Sequence, residues 1–223
     1  MCSGKKIGMT GINNIVILIP GFNNWERDTV PLLESIRLYE PKLPVILIDN
    51  ASEPPYPKWD GITQVRLERE PDYSVAKANN VAMRLAGDCD WYLLLNNDMK
   101  LTRPFSRELE GLDPHFYYCG EIRKANKTNR PHDYGIGRPF IISRDLYQTI
   151  GGFDEKFLVY SCEDVDYSYR AMKAGFPLKQ LDTGIWHADY RDQERKEQYL
   201  RLAEQVKANE KYLAEKHGFD NGK

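Results

Sequence analysis

The chain has 223 residues, 41% hydrophobic and 29% charged, an ordinary globular mix with enough apolar material for a sizeable core. Its 31 Lys and Arg stand against 33 Asp and Glu, a formal net charge of -2, which argues against a protein devoted to nucleic acid or anionic lipid. The 12% of aromatic residues and several concentrated apolar runs argue against disorder.

The first half alternates strand and helix signals. Ile15 to Ile19 is a continuous β-branched and leucine run that stops at Pro20-Gly21, as expected of a strand buried on both faces. Asp28 is placed to cap a helix with Pro31 in its first turn and Leu32, Leu33, Ile36 and Tyr39 along one side. A second buried strand, Val45 to Ile48, ends at Asp49-Asn50-Ala51-Ser52 and is followed by a proline-rich loop. Thr63 to Leu67 alternates like a strand, Val75 to Leu85 reads as a helix closed by Gly87, and Trp91 to Leu95 is a fourth strand ending at Asn96-Asn97-Asp98. Such alternation predicts a parallel sheet covered on both faces, with ligand sites at the carboxyl ends of the strands. Three polar strand exits (Pro20-Gly21-Phe22-Asn23, Asp49-Asn50 and Asn96-Asn97-Asp98) are therefore expected on one rim.

The second half is less regular. Glu121 to Gly137 is polar and aperiodic and reads as a loop. Pro139 to Ser143 reads as a strand, Asp145 to Ile150 as a short helix, and Asp164 to Ala174 as a helix with acidic residues in its first turn and Gly175 just past its end. Leu178 to Leu181 and Ile185-Trp186 are short strand candidates. Residues 192–217 read as a long charged helix with Tyr199, Leu202, Ala203, Val206 and Leu213 in a narrow apolar stripe. That stripe either packs on the same domain or pairs with a second subunit.

No apolar run approaches the roughly 20 residues that span a bilayer, and Ile15 to Ile19 is too short for a signal-peptide core. Cys2, Cys89, Cys119 and Cys162 form no C-x-x-C pair and read as reduced thiols, so the expected setting is cytoplasmic, or peripheral at a membrane. The chain contains no P-loop signature, no G-x-G-x-x-G after the first strand and no H-E-x-x-H. Asn96-Asn97-Asp98 is oxygen-rich and suits a hard divalent cation whose shell is completed by substrate phosphates; the competing reading is a strand-ending Asx turn. Asp49 suits the N–H edge of uracil, thymine or guanine, or else caps a turn. Glu163 and Asp164 stabilise a helix start, yet they follow the apolar Phe157 to Tyr160, which would put a carboxylate in a partly dry cleft suited to a general base. His187, behind Ile185-Trp186, is a satisfied structural histidine or a ligand better suited to Mn²⁺ than to Mg²⁺.

In order, PGFN, VILIDNAS, AKANN, LLLNND, FIISRDLYQTIGGFDEKF, EDVDYSYR and Trp186-His187 resemble the nucleotide-sugar glycosyltransferases of family 2, inverting enzymes of GT-A fold, and their rhamnosyltransferase-like branch in particular. The resemblance spans residues 15 to 190. It implies an α/β GT-A domain with a mixed central sheet flanked by helices, a nucleotide-sugar-binding half over about residues 15–100, an acceptor-binding half over 101–190 and a C-terminal helix over 192–217. It further implies that Asp49 recognises the base and that Pro20, Phe22 and Asn23 line the nucleoside pocket. Asn79 and Asn80 then lie near the donor, and Lys77 reaches a phosphate. Asn96-Asn97-Asp98 stands where that family has its metal-binding D-x-D, with Asp98 the retained carboxylate and His187 completing the shell of Mn²⁺ or Mg²⁺. Asp164, with Glu163 beside it, matches the general base.

The chain departs from the pattern at Asn96, which removes one acid of D-x-D, at Gly21-Phe22, where a tyrosine commonly precedes the asparagine, and at Ser74 and Lys77, which replace glycines. The implied donor is a UDP-, dTDP- or GDP-sugar and the acceptor a glycan or another hydroxyl. A non-catalytic sugar-nucleotide-binding homologue and a nucleotidyltransferase remain alternatives on the sequence.

Overall fold

The computed structural model describes residues 14–126, 130–187 and 202–219, with Glu197 and Leu200 between the last two stretches. β1 (Ile15–Gly21), β2 (Val45–Asn50) and β4 (Trp91–Leu94) are buried along their whole lengths, as their unbroken apolar runs require. They form parallel pairs with one another and with β3 (Thr63–Leu67), in the spatial order β3-β2-β1-β4. Beyond β4 the sheet turns antiparallel through β7 (Tyr134–Ser143) and β6 (Tyr117–Arg123), and it ends on β8 (Leu178–Gln180). β5 (Met99–Leu101) and β9 (Ile185–His187) form a separate antiparallel ribbon.

Side chains alternate across the sheet, so β1 contributes to both cores. Val16 and Leu18 pack with Ile46, Ile48 and Ala82 and Met83 of α2 (Val75–Ala86), together with Tyr167 and Ala171 of α4 (Glu163–Lys173). Ile15, Ile17 and Ile19 pack on the opposite face with Leu32, Leu33 and Ile36 of α1 (Val30–Tyr39). α3 (Arg144–Ile150) begins at Ser143, whose hydroxyl accepts from the Leu146 N–H as an N-cap should. Ser74 caps α2 in the same way, through the Lys77 N–H.

Three expectations are corrected. Residues 121–137 are not one loop: β6 runs to Arg123 and β7 starts at Tyr134, with Ile122 opposite Gly135 and Arg123 opposite Tyr134. A register shift between Cys119 and Glu121, and polar side chains on this overhanging ribbon, erase the alternation that marks a strand. Asp28 is not the cap of α1, because a π-helical turn over Trp25–Thr29 feeds directly into it, with Asp28 buried against Arg27. The last helix, α5, is described over Ala203–His217; most of residues 192–201, Tyr199 among them, lie outside the described residues. Its buried Leu213 packs with Phe157, Cys162, Val165 and Tyr169, so the described helix docks on this same domain at that residue.

Candidate active site

The three strand exits are tied together by one residue that sequence patterns did not single out. Tyr56, between Pro55 and Pro57, is buried, and its hydroxyl donates to the Asn23 carbonyl (2.6 Å). The same hydroxyl accepts from Thr29 Oγ1 (3.2 Å) and Asn97 Nδ2 (3.2 Å). Burial pushes its phenol up to about 12, so Tyr56 stays a neutral strut. Gly21 makes room for it: a Cβ there would come within 2.7 Å of the Tyr56 ring. Pro20, one residue earlier, is buried within β1.

Asp49 is 1% exposed, and its carboxylate is already engaged. Oδ1 accepts from the Ser52 N–H (2.8 Å); Oδ2 accepts from the Tyr56 N–H (3.1 Å) and from Arg66 (2.7 Å). The turn-capping role weighed for Asp49 is thus present, and Arg66, on β3, is the cation that neutralises it. Asn23 N–H donates to Ser52 Oγ (2.8 Å) and Asn23 Oδ1 accepts from the Glu53 N–H (2.9 Å), locking the first exit to the second. Phe22 is half-buried, with its ring centroid 6.2 Å from that of Tyr73.

At the third exit, Asp98 is 8% exposed, and its Oδ1 lies 3.2 Å from His187 Nε2. Asn96 Nδ2 lies 3.4 Å from the same nitrogen. The β5–β9 ribbon creates this meeting, since it sets His187 opposite Met99, the residue after Asp98. The two residues read as metal ligands therefore share one spot. Among the described residues no group of three or more His, Cys, Asp and Glu side chains is arranged so that it could hold a metal ion. The local donor set is one carboxylate, one imidazole and the Asn96 carboxamide, which turns its oxygen inward on an amide flip. Few protein ligands of mixed O and N type suit Mn²⁺ or Mg²⁺ whose remaining positions go to phosphate oxygens and water. The residues fit such an ion.

The other helix-borne candidates divide by role. Asn79 is fully buried. Asn80 is spent on a clamp: its Oδ1 accepts from the Phe153 N–H and its Nδ2 donates to the Phe153 carbonyl, both at 2.8 Å. Lys77 holds Glu70 (2.8 Å) and Asp72 (3.1 Å).

Glu163 and Asp164 open α4. Glu163 is 8% exposed, and Asp164 accepts its neighbour Val165 N–H at Oδ1 (2.8 Å). The segment leading to them is bonded to the start of α2 through Val159 N–H to the Tyr73 carbonyl (3.0 Å) and Val75 N–H to the Val159 carbonyl (2.9 Å). The Ser74 carbonyl in turn accepts from Asn50 at the second exit (3.4 Å). A continuous set of hydrogen bonds thus runs from the β2 exit to the α4 start. Every non-glycine residue with positive φ among the described residues lies on these loops: Asn23, Asn24, Ala51, Val159, Ser161 and Cys162. Left-handed backbone costs energy, most of all for β-branched Val159, and it concentrates where surrounding structure enforces a functional geometry.

No known family model matches the chain, and no curated protein sequence does either. Solved structures do. A mannosyltransferase from Pyrobaculum calidifontis, solved with GDP-mannose and Mn²⁺, aligns with a TM-score of 0.63 at 16% identity, covering 86% of this chain and 62% of that one. GalNAc-T7, solved with UDP, GalNAc and Mn²⁺, aligns at 0.61 and 15% identity over 80% of this chain and 44% of its own. TarS of S. aureus aligns at 0.59 and 15% identity over 85% and 39%. The chain has the GT-A glycosyltransferase fold. It spans roughly two fifths to three fifths of the length of these three neighbours. At 15–16% identity they establish the architecture expected from the sequence, a mixed sheet flanked by helices, and not the rhamnosyltransferase-like branch.

Proposed function

We propose that this chain is a catalytic unit of an inverting glycosyltransferase, family 2-like, that moves a sugar from a nucleoside diphosphate to an acceptor hydroxyl on a glycan or similar molecule, as in polysaccharide biosynthesis. The observation that carries the proposal is the meeting of Asp98 and His187 at 3.2 Å on the carboxyl-end rim of a GT-A sheet. The Mn²⁺ and nucleotide ligands of the mannosyltransferase and of GalNAc-T7 support the same reading. Residues 15–100 form the donor half and 101–190 the acceptor half.

In this reading Asp98, His187 and the Asn96 carboxamide hold Mn²⁺ or Mg²⁺, which when bound neutralises charge on the departing diphosphate. Phe22 and Asn23 border the nucleoside, with Asp49 and its partner Arg66 at the base of a UDP, dTDP or GDP moiety. Asn97, braced on Thr29 and Tyr56, keeps the metal-side loop in place. Asp164 accepts the proton of the attacking hydroxyl, so oxygen attacks the anomeric carbon from the face opposite the diphosphate and the configuration inverts. Glu163, nearly buried beside it, shapes its surroundings. No covalent intermediate is needed.

A thermal-shift screen of UDP-, dTDP- and GDP-sugars with and without Mn²⁺ tests the proposal. One donor class is expected to raise the melting temperature in a Mn²⁺-dependent way, and Asp98→Ala is expected to abolish the Mn²⁺ dependence. Stabilisation by no donor, or equal stabilisation in the variant, overturns it. Stabilisation without any transfer or donor hydrolysis favours the non-catalytic homologue, for which Asn96 in place of an acid is the supporting feature.

A further inference from the structure

The candidate base is delivered by a stretch of backbone that does not favour its own shape. Val159, Ser161 and Cys162 have φ values of 60°, 86° and 71°, and Glu163 and Asp164 follow at once. Such backbone persists only where neighbouring structure enforces it. The enforcing group comes from the far end of the chain. Asn209, in the middle of α5, is 2% exposed, and its Nδ2 donates to the carbonyls of Leu158 (2.9 Å), Tyr160 (2.9 Å) and Ser161 (3.2 Å). Gln205 Nε2 donates to Asn209 Oδ1 (2.9 Å), which fixes the orientation of the amide. One buried side-chain amide thus gathers three carbonyls of the strained loop. The loop's other edge is held by the backbone bonds of Val159 with Tyr73 and Val75.

We propose that Asn209 is a positioning residue for sugar transfer: by holding the carbonyls of Leu158, Tyr160 and Ser161 it keeps Val159, Ser161 and Cys162 left-handed and so sets where Asp164 points, which makes α5 part of the reaction machinery rather than an appendage. This rests on the reading of Asp164 as the general base. Removing the amide relaxes the loop and misaims the carboxylate, while the donor rim, built on β1, β2 and β4, keeps its form. Misplacement of a reacting group by about 1 Å costs on the order of a hundredfold in rate.

The test compares Asn209→Ala and Asn209→Asp with the unaltered chain. Wherever a donor is turned over, both variants are expected to lose ten- to a hundredfold in kcat with donor KM unchanged, and to shift the acid limb of the pH–rate profile. A variant that merely melts earlier, with kcat and pH profile unchanged below its transition, overturns the proposal. Amide hydrogen exchange gives a readout that does not depend on turnover: the Val159 and Asp166 amides are expected to exchange faster in Asn209→Ala at equal global stability. Unchanged exchange there overturns the clamp itself. Failure of the unaltered chain to turn over any donor, with faster exchange in the variant, defeats the transferase reading while sustaining the clamp.

Discussion

Asp164 carries the sharpest expectation at the scale of single residues. Asp164→Asn keeps the size and the helix start but removes the proposed proton acceptor, so on that proposal transfer is expected to fall by about 10²–10⁴-fold. Donor affinity, measured by calorimetry, stays within a few-fold; its loss together with activity would mark the residue as structural. His187→Ala removes the imidazole from the proposed donor set, and the Mn²⁺ concentration that half-saturates donor binding is expected to rise at least tenfold. The resemblance put Asp98 and His187 in one shell, but nothing in spacing or periodicity carried their meeting. It depends on a three-residue ribbon that pairs Met99 with His187, and ribbons that short leave almost no periodic trace. Tyr56 and Arg66 escaped notice for another reason. A tyrosine between prolines and an arginine in an alternating strand look like solvent-facing residues until Gly21 and Asp49 provide their seats.

At the scale of elements, the buried strands announced themselves because runs such as Ile15 to Ile19 and Val45 to Ile48 are apolar on both faces, which only a covered sheet tolerates. The β6–β7 overhang stayed hidden because Glu121, Arg123 and Lys124 are polar on a ribbon that projects beyond the core. The joint between α2 and the turn after α3 was equally invisible, although it rests on three adjacent residues. Asn80 satisfies both the N–H and the carbonyl of Phe153, and Gly152 packs so tightly on the Asn80 carboxamide that a Cβ there would overlap it. Asn80→Ala strands both backbone groups and is expected to cost about 1–3 kcal/mol in urea unfolding. Gly152→Ala is expected to be comparably destabilising, because the buried amide has no room to retreat.

For the whole molecule, Asp166 is the keystone between α4 and the C-terminal helix. It is fully buried, with Oδ1 accepting from Lys216 (2.7 Å) and facing His217 Nε2 (2.9 Å), and Oδ2 accepting from Arg170 (2.8 Å). Arg170 goes on to donate to the carbonyls of Ile150 and Gly152, joining α3 to the same network. Burial pushes the Asp166 carboxyl upward, but His217, Arg170 and Lys216 outweigh it and hold it at about 2. A carboxyl depressed in the folded state contributes stability that is complete above its unfolded pKa, near 4, and is lost as pH falls toward 2. The melting temperature is therefore expected to drop through that window. Asp166→Asn is expected to lower it at neutral pH, with a loss of about 3–5 kcal/mol for breaking a buried charge network, and to flatten the slope between pH 4 and 2. In the sequence Asp166 was indistinguishable from the acids that merely favour a helix start; only the arrival of α5 gives it a separate task.

The β5–β9 ribbon that joins Asp98 to His187 also carries Trp186, 55% exposed and turned to the other side of the strand. An indole in that position sits next door to a paramagnetic ion whenever Mn²⁺ occupies the neighbouring ligands. If the proposed site takes Mn²⁺, Trp186 emission is expected to be dimmed by Mn²⁺ and spared by Mg²⁺, and Trp186→Phe is expected to silence that response without removing a proposed ligand.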